Sequence, residues 1–169
     1  MPDGRPGPVA ELQEVCFALL AATGASRTTV RLIDPDGEIR LVAEARADGV
    51  ESMADGPQAN VRAAPTYIEL EKHLRPIYQS DTRSEPPAPP PSLVEHYRVW
   101  AQMLAAAVVD GRMVATISVH QQDTARVWTA SDRSALATAE RRVVAWCQAH
   151  HRPPPAGGAA LRRKDPEPE

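Results

Sequence analysis

Two amphipathic helices are predicted at the ends of the chain, because apolar residues recur there every three or four positions. The first spans residues 9–23 and ends at Gly24, a residue type that commonly follows helices. The last runs to about His150. Their apolar stripes consist of Leu12, Val15, Cys16, Leu19 and Leu20 in the first helix, and of Leu136, Ala139, Val143, Trp146 and Cys147 in the last. Each stripe needs an apolar partner, so both helices are expected to pack on a sheet.

Alternating and β-branched residues predict short strands between these helices. The strands are predicted over residues 28–33, 39–45, 76–79, 103–109 and 113–120. The first two are joined by turn-forming residues from Asp34 to Gly37, and the last two by Asp110 and Gly111, a dipeptide typical of tight hairpins. Two hairpins favour antiparallel pairing.

Three pairs of a Ser or Thr with an acidic residue three positions later are interpreted as helix capping boxes. The pairs are Thr66 with Glu69, Ser92 with Glu95, and Thr129 with Asp132. The first two predict middle helices over residues 66–74 and 93–100, and the third predicts the start of the last helix. Residues 46–63 are predicted as a loop. The five prolines between residues 86 and 91 form either a lid or a rigid connector.

The resulting element order, α-β-β-α-β-α-β-β-α, predicts an α/β fold of the α+β kind with a central antiparallel sheet. The terminal helices are expected on one face, and the middle helices and loops on the other. One domain is predicted over residues 9–151. Residues 1–8 and 152–169 are rich in proline, glycine and charge, and are expected to be disordered.

Composition narrows the range of functions. The chain has 169 residues and a net charge of −3, without a basic stripe carrying aromatic residues, so nucleic acid is not an expected partner. It has no apolar run of the roughly 18 residues that a membrane span needs, and no signal-peptide pattern. A cytoplasmic protein without membrane contact is predicted. Its two cysteines, Cys16 and Cys147, are expected as small buried side chains in a reducing compartment.

Enzyme signatures are missing from the sequence. It contains no glycine-rich phosphate loop and no Gly-x-Ser-x-Gly, His-Glu-x-x-His or Cys-x-x-Cys motif. We therefore predict no catalytic residues and no metal site, and we disfavour an enzyme. A small enzyme stays a third hypothesis, in which His96, His120 and Asp81 would act.

Three stretches resemble the GAF domain family, and the resemblance spans residues 10–149. They are residues 24–32 after the first helix, residues 76–81 ending in Asp81, and residues 104–132, where the last hairpin is followed by Val127-Trp128-Thr129 and Asp132. The resemblance implies a sheet of about five to six strands and a ligand pocket between one sheet face and the middle helices. It also implies terminal helices that often form a dimer bundle.

Known ligands of the GAF domain family, which these stretches resemble, include cyclic nucleotides, bilins, haem and small metabolites. Family members that attach a bilin use a cysteine near the helix before the last hairpin, where this chain has His96 and Tyr97. A covalent bilin is therefore not expected. A lone histidine, His96 or His120, does not support haem, and the Asn-Lys-Phe-Asp-Glu set of cyclic-nucleotide binders is missing. The cofactor is left unknown.

Six residues are predicted as ligand-binding candidates, each with an ordinary alternative. They are Tyr78, Asp81, His96, Tyr97, Trp100 and His120. The aromatic residues line either a pocket or the core. Asp81 either accepts a ligand hydrogen bond or caps its own turn, and His120 either lies at the pocket rim or is an ordinary strand-end histidine. Arg31 either anchors an anion or faces solvent. Ala105 to Ala107 leave space either for a cavity or for close helix packing.

The favoured hypothesis is a small-molecule-binding sensory or regulatory domain that signals to a protein partner through its terminal helices. The alternative is a dimerisation or protein-interaction module without a ligand. In either case a homodimer is expected, with Leu12, Leu19, Leu136 and Val143 on the dimer helices. A dimer that Leu19→Glu abolishes would favour the alternative.

Overall fold

A computed structural model describes residues 8–151, so both termini predicted as disordered lie outside the described residues apart from Pro8. The helices are α1 Pro8–Thr23, α2 Pro65–His73, α3 Pro91–Glu95 and α4 Ala130–His150, and the strands are β1 Arg27–Ile33, β2 Ile39–Arg46, β3 Ile77–Gln79, β4 Val99–Val109 and β5 Arg112–Gln122. The strands form one antiparallel sheet in the order β2-β1-β5-β4-β3. The predicted element order and fold class are confirmed.

The last hairpin is the longest pairing in the sheet, with eleven residues in each strand. Asp110 and Gly111 join the strands with φ values of 52° and 75°. Positive φ at both central residues is what a type I′ turn requires, and its twist matches that of the strands. The predicted hairpin is confirmed, although β4 begins four residues earlier than expected, at Val99.

The second middle helix is much shorter than predicted. Residues 93–100 were expected to be helical, but α3 ends at Glu95, and Trp100 lies in β4. Arg98 has a φ of 52°, which turns the chain out of the helix and into the strand. Val99 then pairs with Gln122 of β5. Pairing with a long neighbouring strand outweighs the helical preference of these residues.

One of the three predicted capping boxes is confirmed. The Asp132 amide donates to Thr129 Oγ1 at 3.1 Å, and the Thr129 amide donates to Asp132 Oδ2 at 3.0 Å. The boxes at Thr66 and Ser92 are wrong, since no side chain caps α2 or α3. Each of these helices has a proline in its first turn. The fixed φ of proline suits the helix, and proline has no N–H that would need a capping partner.

The main apolar core lies between the sheet and the terminal helices α1 and α4. It includes Ala105 and Ala107 of β4, whose small side chains let α4 pack close to the strand. The four expected dimer positions lie inside this core, each at most 2 % exposed: Leu12, Leu19, Leu136 and Val143. Their apolar surface is therefore already buried within one chain.

Both cysteines lie in the same core as unpaired thiols. Burial raises the pKa of Cys16 to about 12 and that of Cys147 to about 11. Both thiols therefore stay protonated and unreactive at neutral pH. Within residues 8–151, no helix combines the length and the apolar character needed to cross a membrane.

Candidate functional site

The sheet face beneath α2 and α3 carries polar side chains where a covered face is usually apolar. Across β1 and β5 the register pairs Arg27 with His120, Thr29 with Ser118 and Arg31 with Thr116, and across β4 and β5 it pairs Gln102 with His120. Apart from the half-buried Arg31, each of these residues is at most 3 % exposed. We call this set the polar face.

A cavity of about 30 Å³ lies between the polar face and the elements that cover it. Its floor is formed by Arg31, Gln102, Leu104, Thr116, Ser118 and His120, and its roof by Val61, Thr66, Tyr67, Pro90 and Leu93. This volume is enough for about one or two water molecules. A larger ligand fits only when the roof moves.

A cleft of about 220 Å³ at the surface adjoins the cavity. It lies between residues 37–41 and the covering segment 58–62. Arg31 and Val61 line both spaces and so stand between them. The Arg62 guanidinium donates a hydrogen bond to the Gly37 carbonyl, which holds the covering segment against the β1–β2 turn. The partly exposed Arg31 can therefore be reached from the cleft.

The proline segment is fixed to the sheet by hydrogen bonds. The buried Gln79 amide donates to the Glu85 carbonyl at 3.0 Å and to the Pro87 carbonyl at 2.6 Å. The Thr66 amide also donates to the Ala88 carbonyl at 3.2 Å. The segment therefore acts as a fixed connector that places Pro90 in the cavity roof.

Arg27 is a buried cation with incomplete hydrogen bonding. Its Nε lies 3.4 Å from Glu44 Oε2, and its Nη2 donates to the Glu51 carbonyl at 2.6 Å. Its guanidinium also lies 5.3 Å from the centre of the Tyr97 ring. Within the described chain, Nε and Nη1 make no hydrogen bond. Burial lowers the pKa of Arg27, because the charged form loses its hydration.

Arg31 has no carboxylate within 4.0 Å among residues 8–151. Its Nη2 contacts the Met53 sulfur at 3.7 Å, which is a weak acceptor. Burial lowers the pKa of Arg31 to about 10, so the side chain is still positively charged at neutral pH. An unpaired cation therefore borders both the cavity and the cleft.

His120 lies on the cavity floor as a neutral imidazole. Burial lowers its pKa well below 6.5, and the nearby Arg27 and Arg31 lower it further. His120 Nδ1 and Thr29 Oγ1 are buried and make no hydrogen bond within residues 8–151. A neutral imidazole offers one donor and one acceptor, so His120 can orient a polar ligand without adding charge.

Of the six candidates predicted from the sequence, His120 alone lines the cavity. Tyr97 is buried nearby, beside Arg27, and donates to the Pro57 carbonyl at 2.8 Å. His96 is exposed, and its Nε2 lies 2.9 Å from a carboxylate oxygen of Glu51. These two residues therefore bind the loop between β2 and α2, at Glu51 and Pro57, and do not form the cavity floor.

The other three candidates contact arginines away from the cavity. The Tyr78 ring lies 4.2 Å from the Arg133 guanidinium of α4, on the opposite sheet face. The Trp100 ring lies 4.1 Å from the Arg83 guanidinium. Asp81 forms an ion pair with Arg83 at 3.0 Å, which lowers the pKa of its carboxyl. The potential catalytic group of His96, His120 and Asp81 is therefore divided among different surroundings.

Reasoning from the sequence missed most of the polar face. Arg27, Thr29, Gln102, Thr116 and Ser118 were not among the candidates. A signal was present, because polar residues alternate with apolar ones in both β1 and β5. In a sheet covered on both sides, such alternation predicts one polar face that is nevertheless buried.

Three carboxylates, those of Asp34, Asp36 and Glu38, meet in the β1–β2 turn with oxygens within 4.8 Å of one another. They are on the surface, and Asp34 is already paired with Arg40 at 2.5 Å. This arrangement is that of a solvated turn, and nothing else at the turn indicates a metal ion.

Solved structures with the same fold include GAF domains of a cyanobacteriochrome and of a cyanobacterial phytochrome. The cyanobacteriochrome TePixJ GAF domain aligns with a TM-score of 0.73 and 14 % identity, over 86 % of this chain and 92 % of that one. A GAF domain from Synechocystis in its photoproduct state gives 0.71 and 15 %, over 85 % and 95 %. The phycocyanobilin-bound GAF domain of a cyanobacterial phytochrome gives 0.67 and 13 %, over 87 % and 90 %.

These neighbours correct the expectation against a bilin. One of them is described as phycocyanobilin-bound, one as a cyanobacteriochrome domain, and one as a domain in its photoproduct state. The missing cysteine near His96 and Tyr97 bears on one kind of linkage, and not on whether a bilin occupies the cavity. A bilin therefore returns to the set of candidate ligands.

Family membership follows from the sequence itself. Comparison with curated protein sequences found no match. The model of the GAF domain family, however, matches residues 8–144, which include every strand and most of α4. The five-stranded sheet, with α1 and α4 on one face and a covered cavity on the other, agrees with this match. The chain belongs to the GAF domain family.

Proposed function

We propose that this domain binds a small molecule between the polar face and its roof, and acts as a sensory or regulatory domain. One observation supports this above all: within residues 8–151, His120 on the cavity floor has a buried ring nitrogen without a partner, and it lies on the same polar face as partnerless atoms of Arg27 and Thr29 and as Arg31, which has no ion-pair partner. A buried polar group without a partner costs about 1–3 kcal/mol. A ligand that supplies the missing partners recovers this free energy on binding.

Phycocyanobilin is one candidate, since a similar structure binds it. The unpaired donors of the polar face could hold its polar groups, but a tetrapyrrole is far larger than a cavity of about 30 Å³. Binding would require the covering segment 58–62, together with α2 and α3, to move outwards. A cyclic nucleotide or a small metabolite would require a smaller movement.

The first test is native mass spectrometry of the protein purified from its own host, compared with its denatured mass. We expect a retained small molecule. Ser118→Leu, which fills the cavity floor, should lose it, whereas Thr138→Leu on the exposed surface of α4 should keep it. Mixing with phycocyanobilin, followed by an absorption spectrum, tests the bilin candidate directly. Bare protein in every sample, with no phycocyanobilin bound, would contradict the proposal.

We further propose that the terminal helices transmit ligand binding to a protein partner. The strands that form the cavity floor also carry these helices on their other face. On β1, Thr28 donates to the Cys16 carbonyl of α1 at 2.7 Å, while its neighbour Thr29 belongs to the polar face. Amide hydrogen exchange of α1 and α4 with and without bound ligand tests this route, and unchanged exchange would argue against it.

A ligand-free dimerisation module is the second candidate, and one observation favours it. Phe17 of α1 is 58 % exposed, which is unusual for a phenylalanine. Because Leu19 is buried, Leu19→Glu would unfold the chain, and Phe17→Glu is the better test of dimerisation. We expect light scattering to show a wild-type dimer that Phe17→Glu dissociates and that Ile68→Glu, at an exposed site on α2, leaves intact. A monomeric wild type would remove this candidate.

A cytoplasmic location is proposed on the state of the cysteines. Cys16 and Cys147 belong to one core and are unpaired, as expected for a protein that works in a reducing compartment. Fractionation of host cells with an antibody against the protein tests this proposal, and recovery outside the cytoplasm would contradict it.

A further inference from the structure

The charges around the cavity indicate the chemistry of the ligand. We propose that the site, if it binds a ligand as proposed above, recognises the carboxylate of a small organic acid through Arg31. Arg27 and the neutral His120 lie beside it on the same sheet face.

The position of Arg31 is the first argument. Arg31 lines both the cavity and the cleft. Its guanidinium Nη2 donates to the Met53 sulfur at 3.7 Å. A guanidinium carries five N–H donors in a planar fork that matches the two oxygens of a carboxylate. Arg31 is thus a cation with hydrogen-bonding capacity to spare, and it borders both the cavity and the cleft.

The balance of charge is the second argument. Arg27, Arg31 and Arg46 bring three positive charges to this end of the sheet. Glu44 contacts two of them, with its oxygens 3.4 Å from Arg27 Nε and 3.3 Å from Arg46 Nε. Glu51 is half exposed and pairs with a histidine. The buried part of the site is therefore short of negative charge, which a monoanionic ligand would supply.

The other walls of the cavity indicate what accompanies the carboxylate. The roof residues Val61, Tyr67, Pro90 and Leu93 are mainly apolar. They suit a short hydrocarbon or aromatic body, while the hydroxyl of Ser118 and the amide of Gln102 can bind a polar substituent. A phosphate carries more charge and usually binds to a series of backbone amides in a glycine-rich loop, which this chain lacks. The lining therefore favours a monocarboxylic acid over a phosphate ester.

The test compares benzoate and butyrate with their neutral amides, benzamide and butyramide, and with inorganic phosphate. Binding is measured by calorimetry and by the shift in melting temperature. We expect the acids to bind and to raise the melting temperature, and the amides and phosphate to have no such effect. Arg31→Gln should weaken benzoate binding by roughly tenfold or more, because a charge-assisted hydrogen-bonded pair is lost. Arg141→Gln, which removes an exposed charge from α4, should change nothing.

Several results would overturn the inference. They are equal binding of benzoate and benzamide, equal benzoate affinity in the wild type and Arg31→Gln, and phosphate binding as tight as that of benzoate. If Arg31→Gln does not fold, as judged by circular dichroism, Arg31→Lys takes its place. This variant keeps the charge but loses the fork, so it should bind benzoate several-fold more weakly, and an unchanged affinity would equally overturn the inference.

The two proposals fail in distinguishable ways. A ligand retained in native mass spectrometry, together with no binding of any acid, removes the carboxylate inference and leaves the ligand site in place. Bare protein that binds neither phycocyanobilin nor any acid removes both.

Discussion

On β1, Val30 and Leu32 point to the core beneath α1 and α4, while Arg27, Thr29 and Arg31 at the alternate positions point to the other face, where Arg27 and Arg31 contact Glu51 and Met53 of the loop after β2. β5 repeats the contrast, with valine, isoleucine and alanine on one side and threonine, serine and histidine on the other. Both sides are covered, so exposure to solvent does not explain the difference. Burial of an apolar side chain stabilises the fold, whereas burial of a polar one costs free energy unless it is paired.

The two sheet faces also differ in how completely their polar side chains are hydrogen-bonded. Thr28, on the terminal-helix side, donates to α1, whereas Thr29, Arg27 and His120 on the polar face have atoms without partners. A face selected for stability alone would carry apolar residues here. The polar face is therefore best explained by a ligand, and the terminal-helix face by folding.

The largest expected effect is on the terminal-helix face. Leu12 is fully buried there, so Leu12→Ala removes apolar contacts and leaves a cavity. We expect the free energy of unfolding to fall by about 2–5 kcal/mol, measured by urea denaturation. Val9→Ala, at an exposed position on the same helix, is the control and should cost less than about 0.5 kcal/mol. A small effect of Leu12→Ala would mean that this face is not the main source of stability.

The next effect is the pH dependence that His120 introduces. As the pH falls below about 6.5, the unfolded chain binds a proton at residue 120 that the native protein excludes, because burial lowers the native pKa. The free energy of unfolding should therefore decrease by up to about 1.4 kcal/mol per pH unit in this range. Urea denaturation is measured at several pH values from about 5 to 7. His120→Gln should remove this decrease in the free energy of unfolding, and His73→Gln, at an exposed site, should not. Parallel curves for the wild type and His120→Gln would mean that the pKa of His120 is the same in the native and the unfolded protein.

A smaller effect distinguishes the terminal helix α4 from the roof helix α3. Thr129 caps α4 through a reciprocal pair of hydrogen bonds, so Thr129→Ala should cost about 1 kcal/mol in thermal or urea unfolding. Ser92→Ala in α3 removes no cap and should cost less than about 0.5 kcal/mol. Equal costs would show that Ser92 stabilises α3 as much as Thr129 stabilises α4, which would contradict the finding that no side chain caps α3.

The smallest effect compares two neighbouring threonines. Thr28→Val removes a buried hydrogen bond and should destabilise the protein by about 1 kcal/mol. Thr29→Val has nearly the same shape but removes an unpaired buried hydroxyl, so it should leave stability unchanged or raise it by up to about 1 kcal/mol. Opposite signs in urea denaturation would sharpen the contrast between the faces, and equal losses would show that Thr29 has a partner.

The fold could be predicted from the sequence because its signals are local. Helical stripes placed α1 and α4, and Asp110 with Gly111 placed the last hairpin. The extent of α3 was missed because Val99 pairs with Gln122 of β5, which lies more than twenty residues further along the chain. The site was harder for a related reason. Whether Thr29 or Ser118 is buried depends on the elements that cover the strand, and the alternation of side chains alone does not show that cover.

The account depends most on the polar face being the ligand site, and nuclear magnetic resonance tests this directly. Benzoate is added to ¹⁵N-labelled protein, and the shifts of the backbone amides are followed by residue. We predict changes that are largest at Arg31, Ser118, His120 and the covering segment 58–62, and smaller along the surface groove between α1 and α4. Benzoate-induced shifts centred on that groove would contradict the account. Removal of a ligand that the protein retained from its host, with no change in the amide shifts of the polar face, would contradict it as well.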